Sequence, residues 1–182
     1  MFTRLLLCIF AFCYVLPAGA QSIYEVRKGS ISFHSDAPQE LIRASSDKLQ
    51  GVFDVSKKTF AFRIDIVSFI GFNSPLQREH FNENYMETSI YPRALFVGKV
   101  IEDTDLSKDG EYTVRAKGKL KIHGLERERI INVRINVSGK KILVRSDFVV
   151  LLADHDIKIP RVVYDKLAPE INVSVNAQLL PK

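Results

Sequence analysis

The chain has 182 residues, of which 46% are hydrophobic and 26% charged, and its formal net charge is +5. This length favours one domain, and a mild positive charge without long runs of one sign does not indicate a nucleic-acid-binding protein. Cys8 and Cys13 are the two cysteines of the sequence. Because both lie within the first twenty residues, we expect the rest of the chain to work without disulfides, thiol catalysis or cysteine-bound metal.

The first predicted element is an export signal at residues 1–20. Arg4 precedes a nearly unbroken apolar run from Leu5 to Leu16, and Ala18-Gly19-Ala20 has the small residues of a cleavage site. The run is too short to span a bilayer. We therefore expect a cleaved signal peptide followed by one domain, 21–182, in the periplasm or outside a bacterial cell. The alternative is an uncleaved anchor.

Alternation of apolar and polar residues dominates the rest of the chain and predicts β-strands. In 113–122, one face is apolar and the other carries Arg115, Lys117, Lys119 and Lys121. In chain order, strands are expected at 23–27, 30–34, 49–54, 60–66, 93–101, 113–122, 131–137, 142–152 and 171–180. Glycine turns at 123–124 and 138–139 are typical of hairpins, so the sheet should be antiparallel.

One segment favours a helix. Ser74 can cap it, Pro75 suits its first turn, and Gln77 completes a capping box. We expect this helix to reach about residue 82, with further short turns at 84–86 and 162–167. The predicted fold is thus all-β: an antiparallel barrel of about eight strands, with one or two short helices.

Three motifs in this order resemble the YceI-like family. They are the stretch 78–81 with the Tyr-Pro step at 91–96, the hairpin Gly-Lys-Leu-Lys-Ile-His-Gly at 118–124, and Arg-Ser-Asp-Phe at 145–148. The resemblance covers roughly 23–180. It implies a lipocalin-like barrel, a long apolar cavity holding a polyisoprenoid or quinone-like lipid, and a homodimer. The stretch 68–73 is more apolar than the family pattern, and this departure falls near the expected mouth of the cavity.

Nine of the twelve phenylalanines follow the predicted leader. A barrel of about eight strands either fills with side chains or holds one small ligand. Two hypotheses stay open: these rings line a lipid cavity, or they pack a closed core in a structural or protein-interaction domain. For the first hypothesis, the residues expected to line the cavity are Phe60, Phe62, Ile64, Phe69, Phe72, Met86, Phe96, Leu120 and Phe148.

The sequence does not indicate chemistry. His34, His80, His123 and His155 are scattered, and 154–156 (Asp-His-Asp) is the one local cluster, so we expect no bound metal. No nucleophile elbow, phosphate loop or zinc-protease motif is present, and we expect a binding protein rather than an enzyme. We expect His123 to be a turn residue whose ring bonds backbone.

The basic strand face of Arg115, Lys117, Lys119 and Lys121 has two interpretations. Exposed strands commonly carry lysine, so this face can simply be solvated. The alternative is a transient contact with anionic lipid headgroups, to which each nearby cation contributes about 1 kcal/mol.

Overall fold

The computed structural model describes residues 23–182. The predicted leader at 1–20, with both cysteines, lies outside the described residues. Strands and short helical segments follow in this order: β1 Ile23–Asp36, β2 Leu41–Ser46, β3 Gln50–Asp54, β4 Thr59–Asp65, a 3₁₀ turn Ile66–Ser68, α1 Pro75–His80, a π-helical turn Phe81–Tyr85, β5 Arg93–Val100, β6 Gly110–Ile122, β7 Leu125–Ser138, β8 Lys141–Leu151, 3₁₀ turns Leu152–His155 and Arg161–Val163, and β9 Glu170–Pro181.

The strands form a closed barrel. From β3 to β9 each strand pairs with its neighbour in sequence, and β1 pairs with β9 to complete the ring. The first residues of β1 pair with β3, and its second half pairs with β2. Because β2 and β3 together occupy one position beside β1, the nine segments make an eight-stranded antiparallel barrel. The predicted fold is confirmed.

The strands differ most from the prediction at three places. The expected strands 23–27 and 30–34 are one strand, β1, whose pairing with β9 shifts register between Val26 and Lys28 and so interrupts the alternation. Strand β2 was missed because it is short and only Ile42 and Ala44 give it an apolar face. Strand β7 begins six residues before the predicted 131, because its charged start, 125–130, pairs with β6 although it has no apolar face.

The core lies inside the barrel. The apolar face predicted for 113–122 is buried at Val114, Ala116 and Leu120, as expected from period-two alternation. Gly98 and Gly118 face each other across β5 and β6, and a Cβ at Gly98 would collide with the carbonyl oxygen of Lys117. The two strands therefore approach too closely for any residue but glycine at this point.

The helix begins as predicted. The Ser74 hydroxyl accepts a hydrogen bond from the Gln77 backbone N–H at 3.1 Å. The Gln77 side-chain oxygen accepts from the Asn73 backbone N–H at 3.0 Å, whereas a capping box would use the N–H of Ser74. The helix then continues through the π-helical turn to Tyr85, three residues beyond the predicted end. This segment lies across one end of the barrel.

Candidate ligand-binding cavity

One end of the barrel opens into a cavity of about 540 Å³, a size within the usual range for ligand sites. We call this end the mouth. Three segments surround it: the β1–β2 turn, the helical segment 74–86 and the β8–β9 connection 152–169. Its lining comes from these segments and from inward-facing strand positions, and it is mostly aliphatic and aromatic.

Four phenylalanines form one wall of this outer cavity. The Phe33 ring lies 5.2 Å from Phe69 and 5.4 Å from Phe81, and the Phe72 ring lies 4.9 Å from Phe81, all between ring centroids. These separations are typical of favourable aromatic pairs. The strand β1, the stretch after β4 and the helical segment each contribute to the wall, so the aromatic cluster fixes the helix against the barrel.

A second, smaller cavity of about 120 Å³ lies deeper in the barrel. Five residues line both cavities, which places them at a common junction: Ile31, Ile64, Ala94, Leu120 and Phe148. The inner cavity is lined almost entirely by apolar groups. The five shared residues make the two cavities neighbours, an arrangement that an elongated apolar molecule could occupy end to end.

The nine predicted cavity residues all line one or both cavities. Phe69, Phe72 and Met86 line the outer cavity, and Phe60, Phe62 and Phe96 line the inner one. Ile64, Leu120 and Phe148 lie at the junction. Contact of any of these residues with a ligand stays a prediction.

The sequence reasoning missed other lining residues. Ile31 and Phe33 alternate with polar residues on β1, within the predicted strand 30–34, so the sequence carries a signal for them that was not used. Phe81 and Tyr85 line the outer cavity from the helical segment, whose short length gives no clear periodicity. Their inward orientation depends on how the helix lies across the barrel.

A few polar groups stand at the mouth. The Glu40 carboxylate accepts hydrogen bonds from the side-chain amides of Gln77, at 2.9 Å, and Asn73, at 3.0 Å. The Tyr85 phenol in the cavity wall is uncharged at neutral pH, as tyrosine ordinarily is, and burial raises its pKa further. The cavity can therefore hold a molecule with an apolar body and one polar end near the mouth.

A hydrogen-bonded chain links the segments around the mouth. The two nitrogens of the His123 ring contact the Glu87 carboxylate at 2.6 Å and the His155 carbonyl oxygen at 3.0 Å. The backbone bond confirms the prediction for His123, while the Glu87 partner was not foreseen. Since Glu87 follows Met86 of the cavity wall, this chain fixes the wall to the β6–β7 and β8–β9 connections.

The cluster 154–156 lies in a 3₁₀ turn and the residue after it. His155 is fully buried, and this burial lowers the pKa of its imidazole. Within residues 23–182, no group of three or more histidine, aspartate or glutamate side chains is placed to hold a metal ion.

The basic face of β6 carries its own counter-charges. Arg115 pairs with Glu102 at 2.7 Å. Lys117 and Lys119 pair with glutamates of β7 at 3.1 and 3.2 Å. The face is exposed at these positions, but the paired carboxylates reduce the positive potential that it presents.

Comparison with known proteins agrees with this architecture. A polyisoprenoid-binding domain from Saccharophagus degradans, implicated in plant cell wall breakdown, is 15% identical and has a TM-score of 0.74, covering 87% of this chain and 98% of its own. BcnA from Burkholderia cenocepacia is 15% identical with a TM-score of 0.68, covering 82% and 95%. The YceI protein of Campylobacter jejuni is 16% identical with a TM-score of 0.61, covering 76% and 84%. At these identities the likeness shows the shared fold.

No curated protein matches this chain significantly. The model of the YceI-like domain, however, matches residues 25–179, which is most of the chain. The resemblance inferred from the three motifs is therefore confirmed, and the chain belongs to the YceI-like family.

Proposed function

We propose that this protein binds a polyisoprenoid or similar apolar lipid inside the barrel and acts as an exported carrier or storage protein without chemistry of its own. The observation that carries the proposal is the pair of adjoining apolar cavities, which open at the mouth and meet at the junction. The family, and the polyisoprenoid-binding domain that shares the fold, support the ligand class.

Burial of the lipid supplies the driving force. Each methylene moved from water to an apolar site contributes about 0.8 kcal/mol. A prenyl chain offers many such groups, whereas its head offers few, so the tail would occupy the two cavities. The neutral Tyr85 hydroxyl and the amides around Glu40 are suited to hydrogen-bond a polar head such as a quinone or hydroxyl.

The test is to purify the protein without denaturation, extract it with organic solvent and identify the extract by mass spectrometry. A prenyl lipid in stoichiometric amount is expected. A second arm titrates the emptied protein with a prenyl quinone and follows uptake. A protein that is consistently empty and has no measurable affinity for prenyl lipids would refute the proposal.

If both arms fail, the remaining interpretation is that the protein is a structural or protein-interaction barrel with a filled core. In that case Phe62→Ala would only destabilise, by less than the roughly 3–5 kcal/mol that truncation of a fully buried phenylalanine costs. Phe62 is only partly buried and packs against the core from the edge of the inner cavity. Under the lipid-binding proposal, the same variant also changes uptake.

Export is part of the proposal and rests on the leader at 1–20. No helix within residues 23–182 is long and apolar enough to cross a membrane. Fractionation of the native host should find the mature protein outside the cytoplasm, with an N-terminus at Gln21. A chain that keeps its leader in the cytoplasm would contradict this part. The homodimer stays a prediction. Contact of the β6 face with lipid stays an untested alternative to the surface proposed in the next subsection.

A further inference from the structure

Several apolar side chains at the mouth are exposed to solvent. Val162 is 88% exposed, Tyr164 59%, Leu76 57% and Leu41 40%. We call these four residues the mouth rim. Single exposed apolar residues need no explanation, but a group of them around an opening is typical of a surface that binds a partner or a membrane.

Hydrogen bonds join the three segments that carry the rim residues. The Gln39 backbone N–H donates to the Asp165 carbonyl at 2.8 Å, which joins the segment of Val162 and Tyr164 to the β1–β2 turn. The Asn73 side-chain amide donates to the Leu41 carbonyl at 3.1 Å, which joins that turn to the start of α1. Leu76 in α1 also lines the outer cavity, so the rim is continuous with the cavity wall.

The charges around Val162 and Tyr164 differ from those of β6 in their pairing. Residues 158–166 contain three cations, Lys158, Arg161 and Lys166, and one carboxylate, Asp165. Asp165 accepts a long hydrogen bond of 3.5 Å from the Gln39 side chain. No carboxylate within the described residues lies within ion-pair distance of the three cations, whereas three of the four cations on β6 are paired. The free cations flank the most exposed apolar residue of the rim.

We infer that the mouth rim docks on an anionic lipid bilayer. The rim side chains enter the boundary between headgroups and acyl chains, and Arg161 and Lys166 pair with lipid phosphates. The mouth of the cavity then faces the membrane. If the proposed function holds, an apolar ligand passes between bilayer and barrel without crossing water, but the docking itself requires no ligand. The β6 face is not the membrane contact in this arrangement.

The test is co-sedimentation of the purified protein with vesicles of phosphatidylglycerol and phosphatidylcholine in equal parts, or of phosphatidylcholine alone. The wild-type protein is expected to bind the anionic vesicles and to bind the neutral ones much more weakly. Replacing Arg161 and Lys166 together by Gln should weaken binding roughly fivefold for each cation. Val162→Asp should weaken it on the order of tenfold or more, since a charge replaces an inserted apolar side chain.

Matched controls test the location. Ile130→Asp alters an apolar residue of β7 that is 55% exposed on the flank of the barrel, and Lys117→Gln with Lys119→Gln removes two cations from β6. Both controls should bind like the wild type. The inference is overturned if the β6 pair loses binding while the Arg161 and Lys166 pair retains it, or if Ile130→Asp matches Val162→Asp. The inference is also overturned if the wild-type protein binds neither kind of vesicle, even if its mouth rim binds another protein.

A separate readout keeps this inference distinct from the proposed function. Uptake of a prenyl quinone from detergent solution involves no bilayer. Val162→Asp should leave this uptake unchanged, because Val162 does not line either cavity. If the wild-type protein takes up no prenyl quinone, the lipid-binding proposal is refuted and the vesicle result still stands. If it takes up the quinone normally but binds no vesicles, only the docking is refuted.

Discussion

Ala94→Phe tests directly whether the space inside the barrel is open. Ala94 lies on β5 opposite Ile64 of β4, and it lines both cavities at their junction. A phenyl ring added here would enter the cavities rather than occupied volume. Full burial of a phenylalanine side chain contributes about 1.5–3 kcal/mol, which is the upper limit for the gain in unfolding free energy. For a chain of this size, each kcal/mol raises Tm by about 2–4 °C.

The same ring should obstruct the ligand. A phenyl group at the junction separates the inner cavity from the mouth, so the tail of a bound lipid can no longer extend past it. Excluding even two methylenes from the inner cavity costs about 1.6 kcal/mol, which is about a fifteenfold loss of affinity. Thermal denaturation and prenyl-quinone titration of the same preparation measure the two effects. The expected result is a stability equal to or above the wild type together with weakened uptake.

Ala44→Phe is the matched control. Ala44 is buried in β2 and lines neither the outer nor the inner cavity nor any other pocket found in the described residues. The added ring must displace packed neighbours, which typically costs 1–3 kcal/mol, roughly the opposite of the effect at Ala94. If Ala94→Phe destabilises as much as Ala44→Phe, the junction is not open space. If it leaves uptake of long prenyl chains unchanged, the junction does not lie on the path of the ligand. Either result refutes the reasoning.

Three further predictions concern the groups around the cavities. Burial lowers the pKa of His155 in the folded state. Below about pH 6.5, the ordinary histidine pKa, the imidazole therefore takes up a proton when the protein unfolds. Stability is therefore fully present above pH 6.5 and falls as the pH drops from there, and His155→Gln should reduce this slope in denaturant titrations. Gly98→Ala should destabilise by more than about 2 kcal/mol, since its Cβ would collide with the carbonyl of Lys117. Glu87→Ala should cost about 1–3 kcal/mol and speed amide exchange in residues 81–92, because it leaves the His123 Nε2 without a partner and keeps only the bond of Nδ1 to the His155 carbonyl.

Each of these three has its own check. An unchanged pH slope in His155→Gln would show that other groups carry the acid sensitivity. Gly139→Ala is the comparison for Gly98→Ala: nothing lies within 4 Å of its added Cβ, so its cost comes from the positive φ alone. Glu87→Gln keeps an acceptor for the His123 ring. If Glu87→Gln loosens the helical segment as much as Glu87→Ala, the hydrogen bond is not what fixes the cavity wall.

Local chemistry made much of the barrel predictable. Alternation in 113–122 reported which face is buried, because each strand has one face toward the core and one toward water. The turn at 123–124 was readable because His123 and Gly124 both adopt positive φ, of 50° and 77°, as a two-residue hairpin turn requires. Ser74 and Pro75 marked the helix start by the same kind of local signal. The missed strand β2 gave no such signal over its six residues.

The candidate site was predictable in composition but not in shape. Inward orientation of Phe60, Phe62 and Leu120 follows from period-two alternation on their own strands. Whether an inward ring packs against others or borders a cavity depends on residues from distant strands. Phe148, for example, lines both cavities together with Ile31, more than a hundred positions earlier in the chain. No local pattern relates two such positions.

Most strands, the main turns and the family could be read from the sequence, because they depend on interactions between near neighbours and on motifs in fixed order. The closure of β1 onto β9, the adjoining cavities and the position of the mouth are visible only in the folded barrel. The tertiary structure also distinguished the paired cations of β6 from the unpaired cations beside Val162. These features depend on the distances between residues remote in sequence, and such distances exist only after the barrel has closed.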